Sequence, residues 1–118
     1  MRIGLTGMGS TVERIVAQAQ RAEADGFTSL WYPSNVLGDP LALMALAGRA
    51  TSSIGLGTAA LQTYACHPVL QASRAAATAF AVGPGRLTVG VGPSHRPFVE
   101  DVLGLSYATP GRHTEEYV

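Results

Sequence analysis

What most constrains this chain is a pattern that recurs along it: a short apolar run, a turn punctuated by Gly or Pro, and then an apolar stripe at helical spacing. Ile3 to Thr6 reads as a first strand ending in the turn Gly7-Met8-Gly9. Ser10 and Glu13 then have the spacing of a capping box, in which each side chain accepts from a free backbone N–H at the helix start. Val12, Ile15, Val16, Ala19 and Ala22 make one apolar stripe, with Arg14, Gln18, Arg21 and Asp25 facing water and Gly26 as the stop. The cycle restarts with Ser29 to Tyr32, a loop from Pro33 to Gly38, and Asp39-Pro40 as N-cap and first residue of a helix running towards Thr51. Ile54 to Leu61 is predicted as the third strand, Gln62 to His67 as a loop, and Pro68 as the opening of a helix through Phe80. Leu87 to Val91 makes the fourth strand. A long connection follows, with a short helix near Pro97 to Leu103, and Pro110 to Val118 then has the start of a helix without its length.

Four strands alternating with crossover-length helices predict an α/β class and a parallel sheet with right-handed connections, in a single domain over residues 1–118. Such a fold needs an apolar chain, and 47% hydrophobic against 14% charged residues supplies it. The charges exclude some partners. Eight Arg, with no Lys, balance eight Asp plus Glu, so no excess positive charge exists to neutralise nucleic acid or an anionic membrane. The first residues are too short and too interrupted by Gly for a signal peptide, and no later run approaches the ~20 apolar residues of a membrane span. Cys66 is the sole cysteine, which rules out an internal disulfide and fits a reducing, cytoplasmic setting.

In parallel α/β folds, ligands meet the carboxyl ends of the strands. Those segments carry Trp31, Tyr32, Ser34 and Asn35 after strand two, Thr58, Gln62, Thr63, Tyr64, Cys66 and His67 after strand three, and Ser94, His95 and Arg96 after strand four. This polar and aromatic set suits a planar, anionic small molecule, and Arg96 lies where it would attract an anionic tail. The Gly-rich turn is not a dinucleotide fingerprint. Val12 stands where Gly or Ala is required, and Tyr32-Pro33-Ser34 where an acidic residue should end strand two. Three scattered histidines lack metal-site spacing, so no metal is expected. Trp31 and Tyr32 read first as core-filling aromatics, Cys66 as a small buried residue, and the helix arginines as a solvated face.

Four stretches taken in order resemble the luciferase-like monooxygenase superfamily: Gly26 to Pro33, Ala47 to Thr58, His67-Pro68, and Gly85 to Gly92. Within it they are most similar to the deazaflavin branch, which uses coenzyme F-420. The resemblance implies the N-terminal half of a (β/α)8 TIM barrel, about four βα units with parallel strands, since about 250 residues close such a barrel. On the residues alone, a complete, small, open doubly wound sheet is the other topology. The implied activity is that of a flavin- or deazaflavin-dependent oxidoreductase transferring hydride between F-420 and an organic substrate. An FMN-dependent monooxygenase and a non-catalytic truncated fragment are the alternatives.

The resemblance also implies cofactor contacts at Ser34, Ala59, Ala60, Gly92 and Ser94, with a non-prolyl cis peptide at Ala59-Ala60 backing the ring. Ser34-Asn35 replaces the Asp-His of many relatives, and Asn35 can donate a hydrogen bond but cannot shuttle a proton. His95 stands where sugar-phosphate-oxidising relatives place a Glu; imidazoles change charge near neutrality, which makes it the candidate general acid or base. His67 before Pro68 matches a family pairing and orients the helix start. Strands one and four are then exposed edges, to be covered by self-association or by a missing C-terminal half.

Overall fold

The computed structural model describes residues 1–34 and 38–118. Strands β1 (Gly4–Thr6), β2 (Ser29–Tyr32), β3 (Gly55–Thr58) and a later strand at Leu87–Thr88 lie side by side in that order, and every neighbouring pair is parallel. Helices α1 (Val12–Ala24), α2 (Pro40–Arg49) and α3 (Pro68–Val82) return the chain between them.

The period-2 alternation of β2 decides which face is buried. Leu30 and Tyr32 point into a core with Ile54 and Leu56, closed by Ile15, Ala19 and Ala22 of α1, Leu43, Met44 and Ala47 of α2, and Val82 of α3. Burying each large aliphatic side chain here contributes about 1.5–3 kcal/mol. The other face carries Ser29 and Trp31, the indole donating to Ser29 Oγ at 3.0 Å and packing across Gly57, where any Cβ would collide with the ring.

The helix ends follow local chemistry, with one shift. The cap of α1 is Thr11, not Ser10: Thr11 is already extended, and its hydroxyl accepts from the Arg14 N–H at 3.3 Å. Ser10 instead meets the Arg14 guanidinium at 3.5 Å, and Val12, expected in the apolar stripe, is exposed. Gly26, at φ 83°, ends α1 in a Schellman turn, with Phe27 N–H on the Ala22 carbonyl and Gly26 N–H on that of Glu23. Asp39 caps α2 through the Leu41 N–H at 3.0 Å, as expected. His67 caps α3, its Nδ1 accepting from the Val69 N–H at 3.2 Å, which is the orienting task its place before Pro68 implied.

Two predicted strands are each split. The third breaks around a cis peptide at Ala59-Ala60 into β3 and β4 (Leu61–Gln62), and the fourth breaks at Val89-Gly90 into β5 (Leu87–Thr88) and β6 (Val91–Gly92). β4 and β6 then pair in parallel as a separate ladder. Thr58 explains the break: its hydroxyl accepts from the Gly90 N–H at 2.9 Å and donates to the Gly90 carbonyl at 2.8 Å, replacing ladder bonds at that level. Only glycine fits at 90, because a Cβ there would strike the Thr58 carbonyl. Beyond β6 the expected short helix is a π-type turn, Phe98–Val102, and the terminal segment does form a helix, α4 (Pro110–Tyr117). His113 of α4 stacks on Tyr64 at 3.8 Å between ring centres, and the Tyr117 hydroxyl donates to the Cys66 carbonyl at 2.8 Å. These contacts complete a helix that its sequence only begins.

Candidate functional site

The parallel strands end together, and there the chain forms a depression of about 460 Å³, within the size range of small-molecule sites. Ser34 reaches it from the turn after β2, Ala60 and Gln62 from β4 and its approach, Gly92 from the end of β6, and Ser94, His95 and Phe98 from the loop beyond. Six residues expected from the sequence therefore share one rim: Ser34, Ala60, Gln62, Gly92, Ser94 and His95. Ala59 does not join them. Its side chain is exposed and its N–H donates to the Tyr32 carbonyl at 2.9 Å, so its place is in the backbone of the bend. Asn35 lies outside the described residues.

The loop after β6 is shaped by hydrogen bonds. Ser94 has φ 65°, a left-handed conformation unusual for a residue with a Cβ, and its carbonyl accepts from the Tyr107 hydroxyl at 2.8 Å. Its Oγ lies 3.4 Å from Nδ1 of the exposed His95. Gln62 extends its amide to within 3.4 Å of Ser34 Oγ. Phe98, absent from the sequence-based set, contributes an apolar wall, its ring centre 6.2 Å from that of His95. The signal for it was an aromatic three residues after His95, within one helical turn.

Tyr32 is fully buried in the core, as its reading as a core-filling aromatic expected, with its hydroxyl unpartnered among the described residues and its phenol pushed up to about 12 by burial. Other expectations change at the side-chain level. Arg96 is not a free cation at the mouth: it pairs with Glu100, donates to the Tyr107 carbonyl at 3.2 Å and lies over the Tyr107 ring. Cys66 is half-buried rather than buried, and Arg74 of α3 is drawn from solvent to Asp39, Gln71 and Cys66.

The residues present fit the planar ring of a flavin-like group better than its tail. Ala60 and Gly92 leave the wall open, a Cβ at Gly92 only reaching ordinary contact with Ala60 at 3.6 Å, while Ser34, Gln62 and Ser94 offer hydrogen bonds around it. Among the described residues no Arg lines the depression, so an anionic tail finds no cation among them there.

A family model described as luciferase-like monooxygenase matches residues 2–118. The chain belongs to the luciferase-like monooxygenase family. This luciferase-like chain superposes on monooxygenase RslO1 from Streptomyces bottropensis with a TM-score of 0.82 at 21% identity, covering 99% of this chain and 40% of that one. The oxygenating constituent of 3,6-diketocamphane monooxygenase from Pseudomonas putida, in complex with FMN, gives 0.83 at 21% identity over 99% of this chain and 37% of the other. The coenzyme F-420 dependent tetrahydromethanopterin reductase from Methanopyrus kandleri gives 0.76 at 28% identity over 90% of this chain and 30% of the other. A search among curated proteins found no match. The luciferase-like chain thus spans 30–40% of the length of these solved structures, and its parallel strands match part of their α/β TIM barrels.

Proposed function

We propose that this chain supplies the ring-binding wall of a flavin- or deazaflavin-dependent oxidoreductase, in which hydride passes between coenzyme F-420 and an organic substrate. The observation that carries the proposal is the convergence of Ser34, Ala60, Gly92, Ser94 and His95 on one depression at the carboxyl ends of the strands. The 28% identity to an F-420 dependent reductase favours the deazaflavin, and the FMN complex of a second relative supports an FMN-dependent monooxygenase as the other reading.

When bound, the ring supplies the carbon that gives or takes the hydride. Ala60 and Gly92 make room for its face, and Ser34, Gln62 and Ser94 are the donors for its polar edge. Phe98 excludes water from the same side. His95, exposed on the rim beside Ser94 Oγ, is the group placed to hold or release a proton at a substrate heteroatom. Asn35, next to Ser34 in sequence, belongs to the proposal as a hydrogen-bond donor. The grip on the cofactor tail falls to another polypeptide segment, either a second copy of the chain or a C-terminal half, in a cytoplasmic setting; no helix of the described residues is long and apolar enough to cross a membrane.

Titration of the purified protein with F-420 and, separately, with FMN, followed by ring fluorescence, tests the proposal. Saturable binding of F-420, tighter than that of FMN, is expected. The reverse order selects the monooxygenase, and no binding of either leaves the non-catalytic fragment.

A further inference from the structure

Next to the ring depression, and sharing Ser34 and Gln62 with it, lies a smaller cavity of about 110 Å³ between α2, β4 and α3. That volume equals about three or four waters. Its far wall is Gln71, whose side chain is 95% withdrawn from solvent and whose Nε2 has no hydrogen-bond partner among the described residues. A buried amide donor left unpaired forfeits its hydration without replacement, so the position calls for an acceptor. Gln71 also borders an apolar groove on the other side of α3. Its Oε1, however, accepts from Arg74 at 3.3 Å, and Arg74 lines the small cavity and not the groove, which puts the rigid carboxamide on the polar side.

The charge of the cavity selects the acceptor. Arg74 is its cation, and Asp39 neutralises it in a direct ion pair. A phosphate or carboxylate would have to compete with Asp39 for that guanidinium, whereas a neutral oxygen needs only the free amide. We propose that this cavity is a subsite for a neutral carbonyl-bearing arm of the organic substrate, with Gln71 Nε2 donating to the carbonyl oxygen and Gln62 and Ser34 marking the boundary with the ring. The assignment rests on the redox reading above for the identity of its neighbour, and on the unpaired amide for its own chemistry.

Butanone serves as the probe, with the Gln71 side-chain N–H resonances of the isotope-labelled protein as the readout. A saturable shift of those resonances is expected, with at least a tenfold weaker response to acetate. Gln71→Leu, close in volume, should abolish butanone binding with F-420 uptake unchanged. Gln71→Glu, which keeps the shape but replaces the donor with an acceptor, should abolish it as well. The wild-type shift needs neither variant to fold. Uptake of F-420 with no movement of the Gln71 resonances overturns this assignment alone, as does a response to acetate equal to that for butanone. A Gln71 shift without uptake of either ring sustains the subsite and removes the redox reading.

Discussion

Tyr32, at the end of β2, and Ser94, beyond β6, face opposite demands. The Tyr32 hydroxyl is buried without a partner among the described residues, so its loss should not destabilise the chain. Tyr32→Phe is expected to hold or raise stability, by up to about 1 kcal/mol in thermal denaturation. A clear loss would reveal a role for the hydroxyl. Ser94 is held at φ 65°, where a side chain costs about 1–2 kcal/mol relative to glycine. Ser94→Gly should therefore raise the melting temperature while weakening F-420 binding several-fold, and a variant that gains stability with unchanged ring affinity would remove Ser94 from the site. Thr58 is the opposite case. Thr58→Val strips two hydrogen bonds from a residue only 1% exposed and should cost about 2 kcal/mol in chemical denaturation, with Thr58→Ser close to wild type.

Elements in this chain are joined below the sheet by two side chains whose importance no periodicity announces. Glu23, near the end of α1, accepts from the N–H groups of Ile54 at 2.9 Å, Ser53 at 2.6 Å and Ser52 at 3.0 Å, and these bonds hold its carboxyl down at about 2, from an ordinary value near 4.5. Unfolded chains bind this proton more readily, so the contribution is complete above about pH 4.5 and is lost as pH falls towards about 2. Because water reaches the carboxylate, screening limits that contribution to about 1–2 kcal/mol. Glu23→Gln should lower the denaturation midpoint at neutral pH and make no difference near pH 2. Arg86 donates to the carbonyls of Ile54, Gly48, Thr51 and Val82 and to the Thr51 hydroxyl, placing its charge at the carboxyl ends of α2 and α3. Arg86→Met should cost about 3 kcal/mol. The order of strands and helices, the Asp39 cap and the Gly26 stop were legible in the sequence because they depend on local spacing, and the orienting task of His67 followed from a family pairing. The bend at Ala59-Ala60 follows the cis peptide that the family resemblance implied. The break at Val89-Gly90 was not legible: it arises where Thr58 meets Gly90, 32 residues away. Ser34, Gln62, Ser94 and His95 could be assigned to one rim from strand ends, and Ala60 and Gly92 through the family resemblance, while Phe98, the pairing of Arg96 with Glu100 and the shift of Arg74 towards Asp39 depended on tertiary contacts.

At the scale of the molecule, β1 and β5 stand at the two edges of the main sheet, and the face bearing Trp31 carries no helical layer among the described residues. Open parallel edges invite further strands. Sedimentation should show self-association, or uptake of a C-terminal half when one is supplied, and the sole tryptophan reports on it directly: covering Trp31 shifts its emission to the blue. A monodisperse monomer whose emission ignores concentration would argue against such covering. Glu23 and Arg86 brace the chain at the strand beginnings, the full length of the sheet away from the turns that carry Ser34 and Ser94. Drift in those turns leaves the foundations untouched. A lineage built on this plan is free to redraw its rim for new small molecules many times over without having to learn again how to fold.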